Sequence, residues 1–178
     1  MLDLETLGRT AGCKILSIGA REFDRAGLRA EFYVEIKRSW QGGLREEQAT
    51  VEWWSAQEDS VKVKLFSDSD DKLTLKAALD KFNSWMREVC KSDDKGNLAA
   101  SLWGNGSDFD NAILTAAYYE MGGEPPAWPY WSARCYRTLK NIKPEIKLIR
   151  QGLLHNALDD ASSQAEHAAR LLTELDAW

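Results

Sequence analysis

The sequence is poor in the residues that disulfide and metal-thiolate chemistry require. Its three cysteines, Cys13, Cys90 and Cys135, lie far apart, so neither a paired framework nor a Cys-x-x-Cys metal motif can be drawn. They read as reduced, mostly buried thiols of a cytoplasmic protein. No apolar run approaches the length of a membrane span and nothing resembles a signal peptide, which predicts no membrane partner. Basic residues are outnumbered, and the formal net charge of -5 excludes a general nucleic-acid coat. It does not exclude an enzyme whose metals neutralise its own acidic cluster. Histidine occurs only twice, so the position of each one is informative.

Over 178 residues, 44% of them hydrophobic, the chain is large enough to bury a substantial core, and it reads as one domain over residues 1–178. No repeat, low-complexity stretch or linker interrupts it. Residues 1–5 and 15–19 read as strands. Over residues 29–37, Phe32, Val34 and Ile36 alternate with Glu31, Tyr33 and Glu35, the pattern of a half-exposed third strand in an antiparallel meander. A helix is expected over 46–57. The strongest helical pattern spans 73–90, where Leu75, Leu79, Phe82, Met86 and Val89 recur at helical spacing. A short strand over 99–103 precedes a helix over about 108–121, which Gly122-Gly123-Glu124-Pro125-Pro126 ends. A last helix is expected over 157–175. The sum is a mixed α/β layer fold.

Three short signatures of acids and one histidine follow in order: Asp3-Leu4-Glu5-Thr6, then Phe109-Asp110, then His155 and Asp160. Asp3 and Glu5 stand at i and i+2, so a strand presents both carboxylates on one face. His155 and Asp160 flank the start of the last helix, where a turn can aim both at one place. Each has a structural alternative. Asp3 and Glu5 could be a solvated strand face, and a lone histidine before a helix is more often structural. Ser107 with Asp110, and Asn156 with Asp159, both fit helix-capping boxes. Their order and spacing together argue for a site that holds divalent metals against a phosphodiester. Hard oxygen ligands without cysteine favour Mg²⁺ or Mn²⁺ over zinc. Of the eight tryptophans, the adjacent Trp53 and Trp54 cannot both point inward from one helix, which leaves one for a cleft.

Asp3-x-Glu5-Thr6, Asn105 with Phe109-Asp110, and His155-Asn-Ala-Leu-Asp-Asp160-Ala resemble the three motifs of the DEDDh 3′→5′ exonucleases. The resemblance is closer still to small stand-alone bacterial and phage exonucleases related to a mycobacterial exoribonuclease. It is carried also by residues 15–20, Val51-Glu52-Trp53-Trp54, Trp103-Gly104-Asn105-Gly106 and Cys135-Tyr136-Arg137-Thr138-Leu139, and it spans roughly residues 1–172. It departs at Arg137, where many relatives carry an aspartate.

The resemblance implies a ribonuclease H-like fold, a five-stranded mixed sheet with helices on both faces, its fifth strand near 134–138. It implies two divalent ions, Mg²⁺ or Mn²⁺, with Asp3 bridging both, Glu5 and Asp160 completing one site, and Asp110 supporting the second. His155 is then the general base. The family spacing selects Asp160 over Asp159. Thr6, Leu7 and Gly8 are the expected contacts to the terminal nucleotide. The expected activity is removal of nucleoside 5′-monophosphates from a single-stranded DNA or RNA 3′ end, with a homodimer as the expected assembly. The rivals are a catalytically silent nucleic-acid-binding module and a metal-dependent endonuclease or phosphodiesterase. The basic stretch over 134–150, with Arg134, Arg137, Lys140, Lys143, Lys147 and Arg150, is either a phosphate track or a solvated face.

Overall fold

A computed structural model describes residues 1–58 and 66–178. Strands β1 (Leu2–Thr6), β2 (Ile15–Asp24) and β3 (Gly27–Glu35) form the antiparallel meander, with β2 in the middle. Leu2 pairs with Ala20 and Leu4 with Ile18, and these pair onward with Phe32 and Val34. Directly opposed residues share a face, so these rows make one continuous apolar surface. Helices α2 (Leu75–Val89) and α3 (Asp110–Met121) cover it. Leu75, Leu79, Phe82 and Met86 from α2 meet Ile113, Leu114 and Ala117 from α3 in the same core. Each fully buried leucine or phenylalanine here contributes roughly 1.5–3 kcal/mol.

Alternation along β1 sends Asp3 and Glu5 to the opposite face, where they oppose Gly19 and Ser17. Helix α5 (Ala157–Glu174) lies on that face. Its contact stripe is alanine, Ala157, Ala161, Ala165 and Ala168, all fully buried, and small side chains allow the helix to sit close to the strands. Helix α4 (Tyr136–Ile142) packs beside it through Tyr136 and Leu139. Tyr136 Oη and His167 Nδ1 lie 2.6 Å apart, and His167 Nε2 lies 2.8 Å from the Ile146 carbonyl. The second histidine is thus a structural tie. Helix α1 (Gln48–Ser55) closes the far end of β1.

The sheet is where expectation and structure part. The described residues hold five strands, but in two hydrogen-bonded sets: β1-β2-β3, and a parallel pair of β4 (Leu102–Gly104) with β5 (Ala133–Cys135). No ladder among the described residues joins β1 to β4. The Leu4 N–H on the free edge of β1 instead donates to the Asp110 carboxylate at 3.2 Å. The expected fifth strand over 134–138 stops at Cys135, because the chain turns into α4 at Tyr136. Cys135 Sγ accepts from the Thr138 N–H at 3.4 Å, and Tyr136 and Leu139 are buried at helical spacing. Among the described residues no helix is long and apolar enough to cross a membrane. The three cysteines are free.

Candidate active site

Three carboxylates, Asp3 and Glu5 from β1 and Asp160 from the first turn of α5, offer oxygens that all lie within 4.8 Å of one another. Backbone proximity makes this possible. Gly19 opposes Asp3 on β2, and a Cβ added there would sit 2.1 Å from the Ala157 carbonyl carbon and 2.3 Å from the Leu158 nitrogen. Only glycine lets the start of α5 press onto the strand that borders the acids. The helix start is fixed by Asn156, whose Oδ1 accepts from the Leu158 and Asp159 N–H groups at 3.0 and 3.2 Å.

The neighbouring aspartates then divide. Asp159 turns back and accepts from the Leu153 N–H at 2.8 Å, holding the loop before the helix. Asp160 faces the cluster. Asp110 is buried beside the three but outside their ligand group. Its Oδ1 takes the Leu4 N–H and its Oδ2 takes the Asn105 N–H at 2.6 Å. It does not cap its helix through Ser107; Phe109 is the N-cap residue and makes no side-chain cap bond. Asp110 therefore fastens β1 to the end of β4.

Crowded acids in a poorly hydrated site resist ionisation. Burial, and then repulsion from Asp110, Glu5 and Asp160, hold the Asp3 carboxyl well above the usual carboxylate range. Burial, and then repulsion from Asp160 and Asp110, push Glu5 up to about 8. Burial pushes Asp110 up to about 6 against the pull of its two N–H donors. Gln164 stands one helical turn after Asp160 and donates from Nε2 to Asp3 Oδ1 at 2.7 Å. Its side chain is 5% exposed and its Oε1 is buried without a partner. Carboxylates that need positive charge, with an unsatisfied amide oxygen beside them, fit hard divalent cations.

His155 lies in the loop before α5 with φ at 61°, a left-handed conformation that costs about 1–2 kcal/mol in a residue with a side chain. Burial holds its imidazole below the ordinary value, against the opposite pull of Asp160. Its ring meets Trp53 edge-to-face at 5.0 Å and Trp54 at 5.6 Å. The two tryptophans have separate tasks. Trp54 is 1% exposed and donates from Nε1 to the Thr6 carbonyl at 2.9 Å, whereas Trp53 is 46% exposed. Asp3, Glu5, Asp160, His155, Trp53 and Gln164 line a cleft of about 470 Å³, whereas Asp110 is buried behind it and does not line it.

Thr6 and Gly8 also line this cleft, and Thr6 Oγ1 donates to the Gly8 carbonyl at 2.6 Å. Leu7 does not line it; its side chain is fully buried against Leu16 and Trp54. The basic stretch disperses. Arg137 donates to the Asn105 carbonyl at 2.7 Å, Lys143 approaches Glu145 and Glu174, and Lys147 bonds the Pro144 carbonyl. Only Arg150 of that stretch lines the cleft, where it is ion-paired with Asp160. Gly19 and Gln164 went unmarked in the sequence. The i, i+4 spacing from Asp160 to Gln164 was the available signal for the second, and a glycine inside a strand the signal for the first.

No curated protein matches the chain. The family model described as the 3′-5′ exoribonuclease Rv2179c-like domain matches residues 1–172, a span that contains all five acid and histidine positions above. The chain belongs to the Rv2179c-like 3′-5′ exoribonuclease domain family of nucleases.

Proposed function

We propose that the protein is a metal-dependent 3′→5′ exonuclease that removes nucleoside 5′-monophosphates from single-stranded 3′ ends. The family description favours RNA as the substrate. The observation that carries this reading is the convergence of Asp3, Glu5 and Asp160 within 4.8 Å on a cleft that His155 also lines. Asp3, Glu5 and Asp160 would hold two ions of the Mg²⁺ or Mn²⁺ class, with Asp3 shared and Asp110 supporting from behind. Bound there, such ions supply an activated water and neutralise charge on the leaving oxygen.

The remaining work belongs to the chain. His155, kept neutral by burial, accepts the proton of the attacking water at an imidazole nitrogen. Gln164 fixes the direction of the Asp3 carboxylate through its 2.7 Å hydrogen bond. Asp110 keeps the acid strand in place through Leu4. Trp53, half-exposed on the cleft wall, gives a terminal base a face to stack on. The ligands expected of a silent binding module's active relatives are all present here.

Products decide the reading. A 3′→5′ exonuclease converts an oligoribonucleotide to nucleoside 5′-monophosphates, and a 3′-terminal block stops it. Internal fragments from a blocked substrate would assign an endonuclease instead. Binding without cleavage would assign a silent module. Matched RNA and DNA strands run in parallel measure the sugar preference, which a contact to the 2′-hydroxyl would set.

A further inference from the structure

Arg150 is the one cation in contact with the acidic cluster among the described residues. Its Nη1 is ion-paired with Asp160 Oδ1, and its side chain remains 59% exposed while that of Asp160 is 14% exposed. The other arginine lining the cleft, Arg9, is 77% exposed and pairs with Glu47. Arg150 is also held in place from both sides. After it, the Gln151 N–H donates to Ser163 Oγ at 2.9 Å and Gln151 Nε2 to Glu166 Oε2 at 2.5 Å, while the Leu153 N–H donates to Asp159. Before it, the Ile146 carbonyl is bonded to His167, and the Lys147 carbonyl accepts from Arg170 at 3.0 Å. All of these partners belong to α5, the helix that carries Asp160. The backbone is anchored, and the exposed guanidinium both pairs with Asp160 and lines the cleft.

We propose that Arg150 is a tethered cation that competes with the metal for Asp160 and, once displaced, binds a backbone phosphate of the nucleic acid. This deepens the metal-dependent reading and rests on it. The chemistry follows from what each partner prefers. A carboxylate ion-paired with a guanidinium through Oδ1 has less negative charge to give a hard divalent cation, so the arginine and the metal oppose each other at Asp160. A displaced guanidinium has five donors and no acceptor, and the bidentate partner it suits is a phosphate. Metal loading thereby readies the cleft for substrate, and the two binding events favour each other.

The test measures binding rather than turnover. Mn²⁺ alone is titrated calorimetrically into the wild-type protein, Arg150→Ala and Arg150→Lys. A short phosphorothioate oligoribonucleotide is then titrated into each in the presence of Ca²⁺. Loss of an ion pair worth about 1 kcal/mol changes an affinity about 5-fold. Arg150→Ala is expected to bind Mn²⁺ about 5-fold more tightly and the oligonucleotide about 5-fold more weakly, with Arg150→Lys nearer to wild type in both. A purely structural arginine would weaken both together, and that result overturns the proposal. Unchanged Mn²⁺ affinity overturns the competition, and unchanged oligonucleotide affinity overturns the transfer to phosphate. If the wild-type protein binds no Mn²⁺, the metal-dependent reading falls and this inference falls with it. Mn²⁺ binding by the wild type with no difference in Arg150→Ala removes the Arg150 inference alone.

Discussion

Gly19 faces Ala157 so closely that a Cβ on the glycine would lie 2.1 Å from the alanine carbonyl carbon. The contact is between backbones, so no side chain can rotate away to relieve it. It sets the height of α5 above β2, and with it the distance from Asp160 to the acids of β1.

Gly19→Ala should therefore act on stability and on the site together. Overpacking at a backbone contact destabilises by about 3 kcal/mol, read as a lower urea midpoint. Calorimetry should show Mn²⁺ affinity falling as well, because Asp160 moves with the helix. A variant as stable as wild type would show that the helix start yields without penalty.

The adjacent tryptophans should separate cleanly. Trp54 is fully buried and hydrogen-bonded to Thr6, so Trp54→Ala should cost about 3–5 kcal/mol of stability. Trp53→Ala should stay within about 1 kcal/mol of wild type, since the residue is half-exposed. Its oligonucleotide affinity should drop by about 1–3 kcal/mol if a base stacks there. Equal effects of the two substitutions on stability would refute the division.

The metal-free protein should lose stability as pH rises toward 8. Glu5 is pushed up to about 8 in the fold from an ordinary value of 4.5, and Asp3 and Asp110 are shifted in the same direction. The folded state thus binds more protons than the unfolded chain across that range. This contribution is fully present below about 4.5 and is lost as pH climbs through about 8. His155 and His167 are shifted downward, so their stabilising contribution is lost as pH falls below about 6.5. Thermal melts with chelator should fall from about pH 6.5 to 8.5, and the Tm gain from Mg²⁺ should be larger at the upper end. A flat profile, with equal Mg²⁺ gains, would mean that the acids do not repel one another as their burial requires.

Gln164→Leu should pull two readouts apart. It removes the 2.7 Å bond to Asp3 and also a buried oxygen without a partner. Partners that orient a metal ligand typically contribute 10- to 100-fold in metal affinity, so Mn²⁺ binding should weaken by at least about 10-fold. Removing an unsatisfied buried group offsets the lost hydrogen bond, so metal-free stability should stay within about 1 kcal/mol. Loss of stability with intact metal affinity would recast Gln164 as a packing residue.

Local patterns were legible in the sequence; contacts between distant segments were less so. The face shared by Asp3 and Glu5 follows from the two-residue repeat of a strand, and α2 follows from the spacing of Leu75, Leu79, Phe82 and Met86. The shortness of β4 and β5 did not, because Leu4 and Asp110 bond across 106 residues and the turn into α4 after Cys135 cuts the expected strand short. Asp110 looked like a helix cap because capping and strand-fastening require the same residue beside the same helix start. Leu7 looked like a cleft residue by its place after the acids, and unbroken alternation would keep it on their face. The register shift between Glu5 and Thr6 breaks that alternation, and the side chain is buried against Leu16 and Trp54. Arg150 was visible only as one of several cations; its partner is set by where the loop before α5 is fastened.

The most direct test of the account is a time course on a 5′-labelled single-stranded oligoribonucleotide with Mn²⁺, with and without chelator, for wild type and Asp160→Asn. The account predicts a ladder of products shortened stepwise from the 3′ end, seen only with wild type and only with the metal. Shortening that survives chelation, or that Asp160→Asn supports at the wild-type rate, would contradict it.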